Sequence, residues 1–358
     1  MTPDCFSISM PIGAWHPLLR DAIESLLAQD ASVQIAFLDA SGDVRVKAIA
    51  DEYNAHLHYR RHGPDKGQSD AILEGWRETD GEFLGWLNAD DLVYPGALDL
   101  ALKQFQNDRS IDLVYGHSTI IDDAKRIRSY HWAVEATPPH ILEGGIISQP
   151  SCFFKRKAYE AIAPLNVDLH YTMDWDLWIR LYKSGAKFQF IDAPMSLVLW
   201  AEGTKTSSFN AARQAELRRI IQEYAPDQKQ KRIMRSFAIH NFMDRLPGRA
   251  LQKTLARLLI RGRKTINGLS GDGQLLDGAK VPIVHYDDTP KTTLEIRADN
   301  ANAISHILCD GVPHDIGPTE NGVIKITLQS ALSKAQTLWV AFSVGDNETP
   351  YLEFLSLK

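Results

Sequence analysis

The stretch GWLNADDLVYPG, residues 85–96, sets Asn88, Asp90 and Asp91 directly behind the apolar Trp86 and Leu87. An apolar run that stops at adjacent carboxylates and then meets Pro95-Gly96 reads as a buried strand ending at a turn, with the acids at its tip. Two such carboxylates with no neighbouring cation suit a hard divalent ion, which takes oxygen ligands and brings its own waters and a substrate diphosphate. They equally suit a turn in which an aspartate caps the next helix.

The elements around this tip alternate. CFSISMP reads as a strand, HPLLRDAIESLLAQ as a helix, VQIAFLDASGD as a strand and turn, DVRVKAIADEY as a helix and AHLHYRR as a strand. QSDAILEGWRE then reads as a helix leading into the strand GEFLGWLNADD. Such alternation predicts a mostly parallel sheet covered by helices. Ligands of these sheets bind beyond the carboxyl ends of the strands, where Pro11, Asp39 and Asp90 fall. Further on, a helix at PGALDLALKQFQ, a strand at DLVYGHSTII and a looser stretch over 122–147 precede SQPSCFFKRKAYEAI. YTMDWDLWIRLYKSGAKFQFI reads as an acidic turn, a helix closed by Gly185 and a strand.

The chain of 358 residues divides into a first unit over 1–215, a basic helical linker over 216–268 and a β-sandwich over 269–358. The last is announced by TTLEIRAD, NGVIKITL, TLWVAFSV and YLEFLSLK, short alternating strands between turns. Residues 229–264 hold eleven Lys and Arg against the single acid Asp244, and Leu251, Leu255, Leu258 and Leu259 form a stripe. Two readings stand: a linker helix with its cations in water, or a surface lying peripherally on the anionic inner face of a plasma membrane. The net charge of -6 gives no general pull towards nucleic acid, so none is expected as a partner. Cys5, Cys152 and Cys309 are few and lack metal-ligand spacing, which argues against a disulfide frame or zinc site and for a reducing cytoplasm. Neither a secretion signal nor a membrane span is expected.

The segment PDKGQSDAILEGWRETDGEFLGWLNADDLVYPGAL resembles the donor-binding half of family 2 glycosyltransferases, and SQPSCFFKRKAYEAI with MDWDLWIRL resembles the acceptor-side half. The resemblance runs from about residue 5 to 210 and implies an α/β fold of the GT-A nucleotide-diphospho-sugar transferase type. It implies an inverting transfer from a nucleoside-diphosphate sugar, a UDP-sugar first among them, to a hydroxyl on a glycan or lipid-linked acceptor in bacterial surface polysaccharide or glycolipid synthesis. By position, NADD matches the family's metal motif. Asp90 is then the ligand of a divalent cation, Mg or Mn, Asp91 supports the turn or a water, and Asn88 with Ala89 belongs to the donor site. Asp39 matches the carboxylate that receives nucleobase or ribose, and Pro11 with Ile12 matches the first loop of that pocket. Asp65, Lys66, Gly67, Gln68 and Asp70 match the second donor loop, where the glycine permits close approach and Lys66 screens a diphosphate. Asp174 matches the general base, with Asp176 its neighbour. Trp175 and Trp178 read either as sugar-stacking rings or as core.

Two positions depart from the family. Asn88 stands where an aspartate is frequent, and Ala201 stands where many relatives carry a metal-reaching histidine, with Glu202 or water as the substitute. They keep open a second class, a catalytically degenerate protein that binds nucleotide sugar or glycan without turning it over. A nucleotidyltransferase comes last, because SMPIGAWHP offers only Gly13 where that class presents a glycine-rich phosphate loop. The sandwich, which resembles modules appended to bacterial enzymes of this family, is expected to bind glycan or a second copy of the chain. Trp339, Tyr286 and Tyr351 read either as its stacking platform or as buried strand aromatics.

Overall fold

The computed structural model describes residues 1–131, 138–201, 210–244, 265–314, 316, 322–345 and 350–358. The first half follows the alternation: β1 (Thr2–Ile12), α1 (Leu19–Leu27), β2 (Ser32–Asp39), α2 (Val44–Glu52), β3 (Tyr59–His62), α3 (Gln68–Arg77) and β4 (Gly81–Trp86). β1 is buried without interruption from Cys5 to Ile12, as a strand covered on both faces must be. In α1, Leu19, Ala22, Ile23 and Leu26 recur at helical spacing and make its buried stripe. β1 pairs in parallel with β2 and β4, and β3 continues in parallel beyond β2.

The chain continues with β5 (Leu92–Val93), α4 (Ala97–Asn107), β6 (Leu113–Ile121), β7 (Ile127–His131), α5 (Pro138–Glu143), β8 (Cys152–Lys155) and α6 (Arg156–Glu160). Then come α7 (Met173–Lys183), β9 (Phe188–Leu199), α8 (Ala211–Tyr224) and α9 (Asp227–Asp244). The stretch expected to be loose over 122–147 thus contains a strand and a short helix. β7 is regular because it pairs antiparallel with β6, through Ser118↔His131 to Ile121↔Ile127. The helix α8 runs across residue 215, where the first unit was expected to end.

The C-terminal strands are β10 (Thr265–Ile266), β11 (Leu269–Ser270), β12 (Ala279–Ile283), β13 (Lys291–Ala298), β14 (Ile304–Cys309), β15 (Val312–His314), β16 (Val323–Leu332), β17 (Leu338–Val344) and β18 (Leu352–Leu357). β10 and β11 pair with each other, and the rest form two layers, β12-β17-β14-β15 and β16-β13-β18. Leu294, Ile296 and Leu355 from one layer and Val281, Val340 and Phe342 from the other are buried in the sandwich core.

The second layer does not stop at the sandwich. β18 pairs with β7 at Leu355↔Ile127, so one sheet runs β16-β13-β18-β7-β6-β8-β4-β1-β2-β3 through both halves of the chain. Tyr286 and Tyr351 are buried, whereas Trp339 faces outward. The Tyr286 hydroxyl donates to the Val93 carbonyl, and the Tyr94 hydroxyl donates back to the Pro282 carbonyl at 3.1 Å. Lys125 bridges Asp21 of α1 and Asp287, and Lys334 pairs with Glu24 at 2.9 Å.

Of the basic stretch, α9 is held to α5 by Lys229 and Arg232, both on Glu143 at 2.5 Å. The leucine stripe of residues 251–259 lies outside the described residues. Among the described residues no helix is long and apolar enough to cross a membrane.

Candidate active site

The ends of β1, β2 and β4 lie side by side, since Ile12 registers with Asp39 and the Leu87 N–H bonds the Ser9 carbonyl. Pro11 and Ile12 are themselves buried in the sheet. The exposed surface at the tip of β1 belongs to Gly13 and Ala14 instead.

Asp39 is buried at the end of β2, and its carboxylate is already held. Oδ1 accepts from the Ser41 N–H at 2.8 Å and the Ser41 hydroxyl at 2.6 Å, while Oδ2 meets His62 Nδ1 at 2.7 Å. Ser41 Oγ in turn accepts from the Asp43 N–H, and Asp43 caps α2 and grips the Arg45 guanidinium at 2.6 Å. That guanidinium lies 3.9 Å over the Trp15 ring, which borders the exposed tip of β1. The chain Asp39, Ser41, Asp43, Arg45, Trp15 therefore fixes one rim around a single carboxylate.

The second loop turns at Gly67, whose φ of 116 permits a backbone that side chains resist. Asp65 accepts the Gly67 N–H at 2.9 Å, and Asp70 accepts the Lys66 N–H at 3.1 Å, so both acids shape the loop while Lys66 stays exposed. At the head of α3, Gln68 Nε2 donates to Asn88 Oδ1 at 2.6 Å, and Asn88 Nδ2 donates to Asp91 Oδ2 at 3.0 Å. Asn88 thus spends its amide on tying the second loop to the acidic tip.

The two acids of the tip differ. Asp91 is buried and also accepts the Leu199 N–H at the end of β9. Burial, and then the charge of Asp90, push its carboxyl well above the ordinary carboxylate range. Ala89 is buried and Asp90 is partly exposed. Among the described residues no three His, Cys, Asp or Glu side chains gather where they could hold a metal ion. One partly exposed carboxylate fits a magnesium-like ion whose remaining ligands are waters and phosphate oxygens, and does not make a protein cage. The end of β9 abuts the tip through Leu199, with Ala201 two residues on; Glu202 lies outside the described residues.

One hydrogen bond ties the head of α7 to this edge. The Ser69 hydroxyl beside Gln68 donates to Met173 Sδ at 2.8 Å. Burial, with the charge of Asp174 adding to it, pushes the Cys152 thiol far up, and Gln149, three residues before Cys152, donates to the Trp86 carbonyl at 2.6 Å. Asp174 is partly exposed in the first turn and accepts the Trp175 N–H at 2.7 Å. Asp176 is buried between Arg180 at 2.8 Å and the Tyr224 hydroxyl at 3.0 Å, a structural role. Trp175 and Trp178 are both core: Trp175 donates to the Ile141 carbonyl, and Trp178 stacks on Trp86 at 5.7 Å.

Sequence reasoning missed three supports. His62 reaches Asp39 only through the β2–β3 register. Gln149 anchors the tip strand. Glu216 on α8 accepts the N–H groups of His170, Tyr171 and Thr172 and so fixes the entry to α7. A polar side chain inside an apolar stretch, as Gln149 is, was a readable signal; Glu216 carried none.

Residues 10–162 match the family model described as glycosyl transferase family 2. An uncharacterized glycosyltransferase of Rickettsia felis is 26% identical over 188 residues, which are 49% of this chain and 31% of that protein. Chondroitin synthase of Escherichia coli is 26% identical over 185 residues, 50% of this chain and 26% of that protein. The chain thus spans about a third or less of the length of these relatives. The structure of S. aureus TarS 1-349 in complex with UDP-GlcNAc superposes with a TM-score of 0.50 at 14% identity, covering 73% of this chain and 76% of that one. The sheet and its flanking helices are therefore a GT-A fold, and through residues 10–162 the chain carries a glycosyl transferase family 2 domain.

Proposed function

We propose that the protein is an inverting glycosyltransferase that moves a sugar from a nucleoside-diphosphate sugar to an acceptor hydroxyl. The observation that carries this reading is the gathering of three carboxylates at one sheet edge: the partly exposed Asp90 beside the buried Asp91, Asp39 at the end of β2, and Asp174 at a helix head tied to that edge through Met173. A UDP-sugar is the donor we favour, supported by the fold shared with a protein solved with UDP-GlcNAc. A glycan or lipid-linked acceptor is supported by relatives named for chondroitin synthesis and PGL/p-HBAD biosynthesis.

Asp39 has three of its roughly four acceptor positions filled, which leaves room for one N–H or hydroxyl from the nucleoside. Lys66 lends positive charge beside the diphosphate. A divalent cation bound at Asp90 would neutralise the departing diphosphate. Asp174 takes the acceptor's proton as the acceptor oxygen bonds to C1 and the C1–phosphate oxygen bond breaks, with inversion. The helix N-terminus favours its ionised form.

In Asp174→Asn we expect transfer to fall about 100- to 10,000-fold with UDP affinity unchanged, read by product formation and calorimetry. Retention of most turnover removes Asp174 from the role of base. A second reading, a nucleotide-sugar binder without turnover, draws on Asn88, whose amide is taken up by Gln68 and Asp91. Transfer assays over a panel of sugar nucleotides separate the two. We further propose a first unit that runs through α8, action at the cytoplasmic face of a membrane to which the basic charge of residues 229–264 draws the chain, and the sandwich over 269–358 as a glycan or self-association module.

A further inference from the structure

On β3, alternate residues face opposite ways. Tyr59 and Arg61 meet Glu74 of α3, while Arg60 and His62 turn towards α2 and the end of β2. Both terminal nitrogens of Arg60 are committed there. Nη1 donates to the Ala50 carbonyl at 3.3 Å and to Asn54 Oδ1 at 2.9 Å; Nη2 donates to Asp51 Oδ1 at 2.6 Å and meets His62 Nε2 at 2.8 Å. A guanidinium has only donors. The Nε2 atom it faces must therefore be the accepting nitrogen, and the ring proton must sit on Nδ1, aimed at Asp39 Oδ2, 2.7 Å away. The other tautomer would set donor against donor at Arg60 and acceptor against acceptor at Asp39.

We infer that His62 is a positioning residue for the donor nucleotide: Arg60 on one side and Asp39 on the other fix its Nδ1–H tautomer, and that N–H holds the Asp39 carboxylate with one acceptor position left open. The relay Asp51, Arg60, His62, Asp39 thus carries order from α2 into the nucleoside end of the site. This rests on the reading of Asp39 as the nucleoside-binding carboxylate. It adds a positional rule: a carboxylate receives only donors, and with Ser41 and His62 holding three of its acceptor positions the incoming N–H or hydroxyl must reach the one that is left.

The test has two readouts. Long-range ¹⁵N–¹H spectra of histidine-labelled wild-type protein report which ring nitrogen carries the proton, and calorimetry with UDP, then GDP, reports binding. We expect Nδ1–H in the wild type and, because Asp39 still accepts that proton, Nδ1–H again in Arg60→Met. UDP affinity should fall roughly ten- to a hundredfold in His62→Leu, as for a lost hydrogen bond to a charged group. In His62→Asn, whose amide N–H stands near the place of Nδ1–H, most of that affinity should return. An Nε2–H signal for His62 in the wild type overturns the inference, as does a folded His62→Leu that binds UDP as tightly as the wild type. A wild type that binds neither nucleotide overturns the donor reading and the nucleotide role of His62 with it, while the tautomer is still decided by the spectrum.

Discussion

Replacing Tyr286 by Phe should destabilise the whole chain, including the half in which Tyr286 does not lie. The residue belongs to the C-terminal strands, is 4% exposed and donates its hydroxyl to the carbonyl of Val93, itself 1% exposed, in β5. Phe keeps the ring and removes the donor, so the loss is one buried hydrogen bond with its acceptor left short, about 1–2 kcal/mol. With a urea dependence of about 2–3 kcal/mol per molar, the unfolding midpoint should fall by roughly 0.3–1 M. Tryptophan fluorescence makes the assay selective, because Trp339 is the only tryptophan after residue 268 and Trp76, Trp86, Trp175 and Trp178 are buried in the first half. If β18–β7 pairing and the tyrosine bonds join the halves into one cooperative unit, the fluorescence transition moves with the circular dichroism transition. A fluorescence midpoint that stays put while the dichroism midpoint of the strands shifts refutes the reasoning.

Gly75→Ala should loosen α3, because a Cβ there would lie 2.3 Å from Ser9 Oγ and 2.9 Å from Ser9 Cβ; a loss of about 1–3 kcal/mol in chemical denaturation and weaker UDP binding through Gln68 are expected. Burial opposes the charge of Asp122, but bonds from Arg126 and Arg128 outweigh it and hold its carboxyl below the ordinary range. A depressed carboxyl stabilises the fold above its unfolded value, near 4, and loses that contribution as pH falls through the folded value. Asp122→Asn should therefore be less stable than wild type by roughly 1–3 kcal/mol at pH 7, with the gap closing below about pH 4 in melts across that range. Glu216→Ala should lower kcat more than it changes the donor KM in initial-rate measurements, since the bonds Glu216 accepts come from His170, Tyr171 and Thr172 at the entry to α7.

The sheet from β1 to β4 was legible because each strand there is a local apolar run between turn signals, and the helices between carry their own stripes. β7 was not. IRSYH is short and polar, and its regularity comes from β6 beside it and β18 more than two hundred residues away, so no window of sequence contains its reason. The joining of the sandwich to the first sheet was hidden for the same cause: Leu355 and Ile127 look like any edge residues until they meet.

At the site, sequence named residue types, and the fold divided their roles. Asp90 and Asp91 are adjacent identical letters, yet Leu199 and Asn88 bury one and leave the other towards solvent. Asp174 and Asp176 are two apart on a helix, so about 200° separates them, and Arg180 and Tyr224 capture only the one that faces inward. The polar partners that make these choices, His62, Gln149 and Glu216, come from elements whose neighbours are set by register and packing. A motif therefore specifies which carboxylates are present, while the second side of each contact decides which one is taken up by the fold and which one stays open to solvent. A variant that alters only such a partner should change the chemistry of an untouched acid.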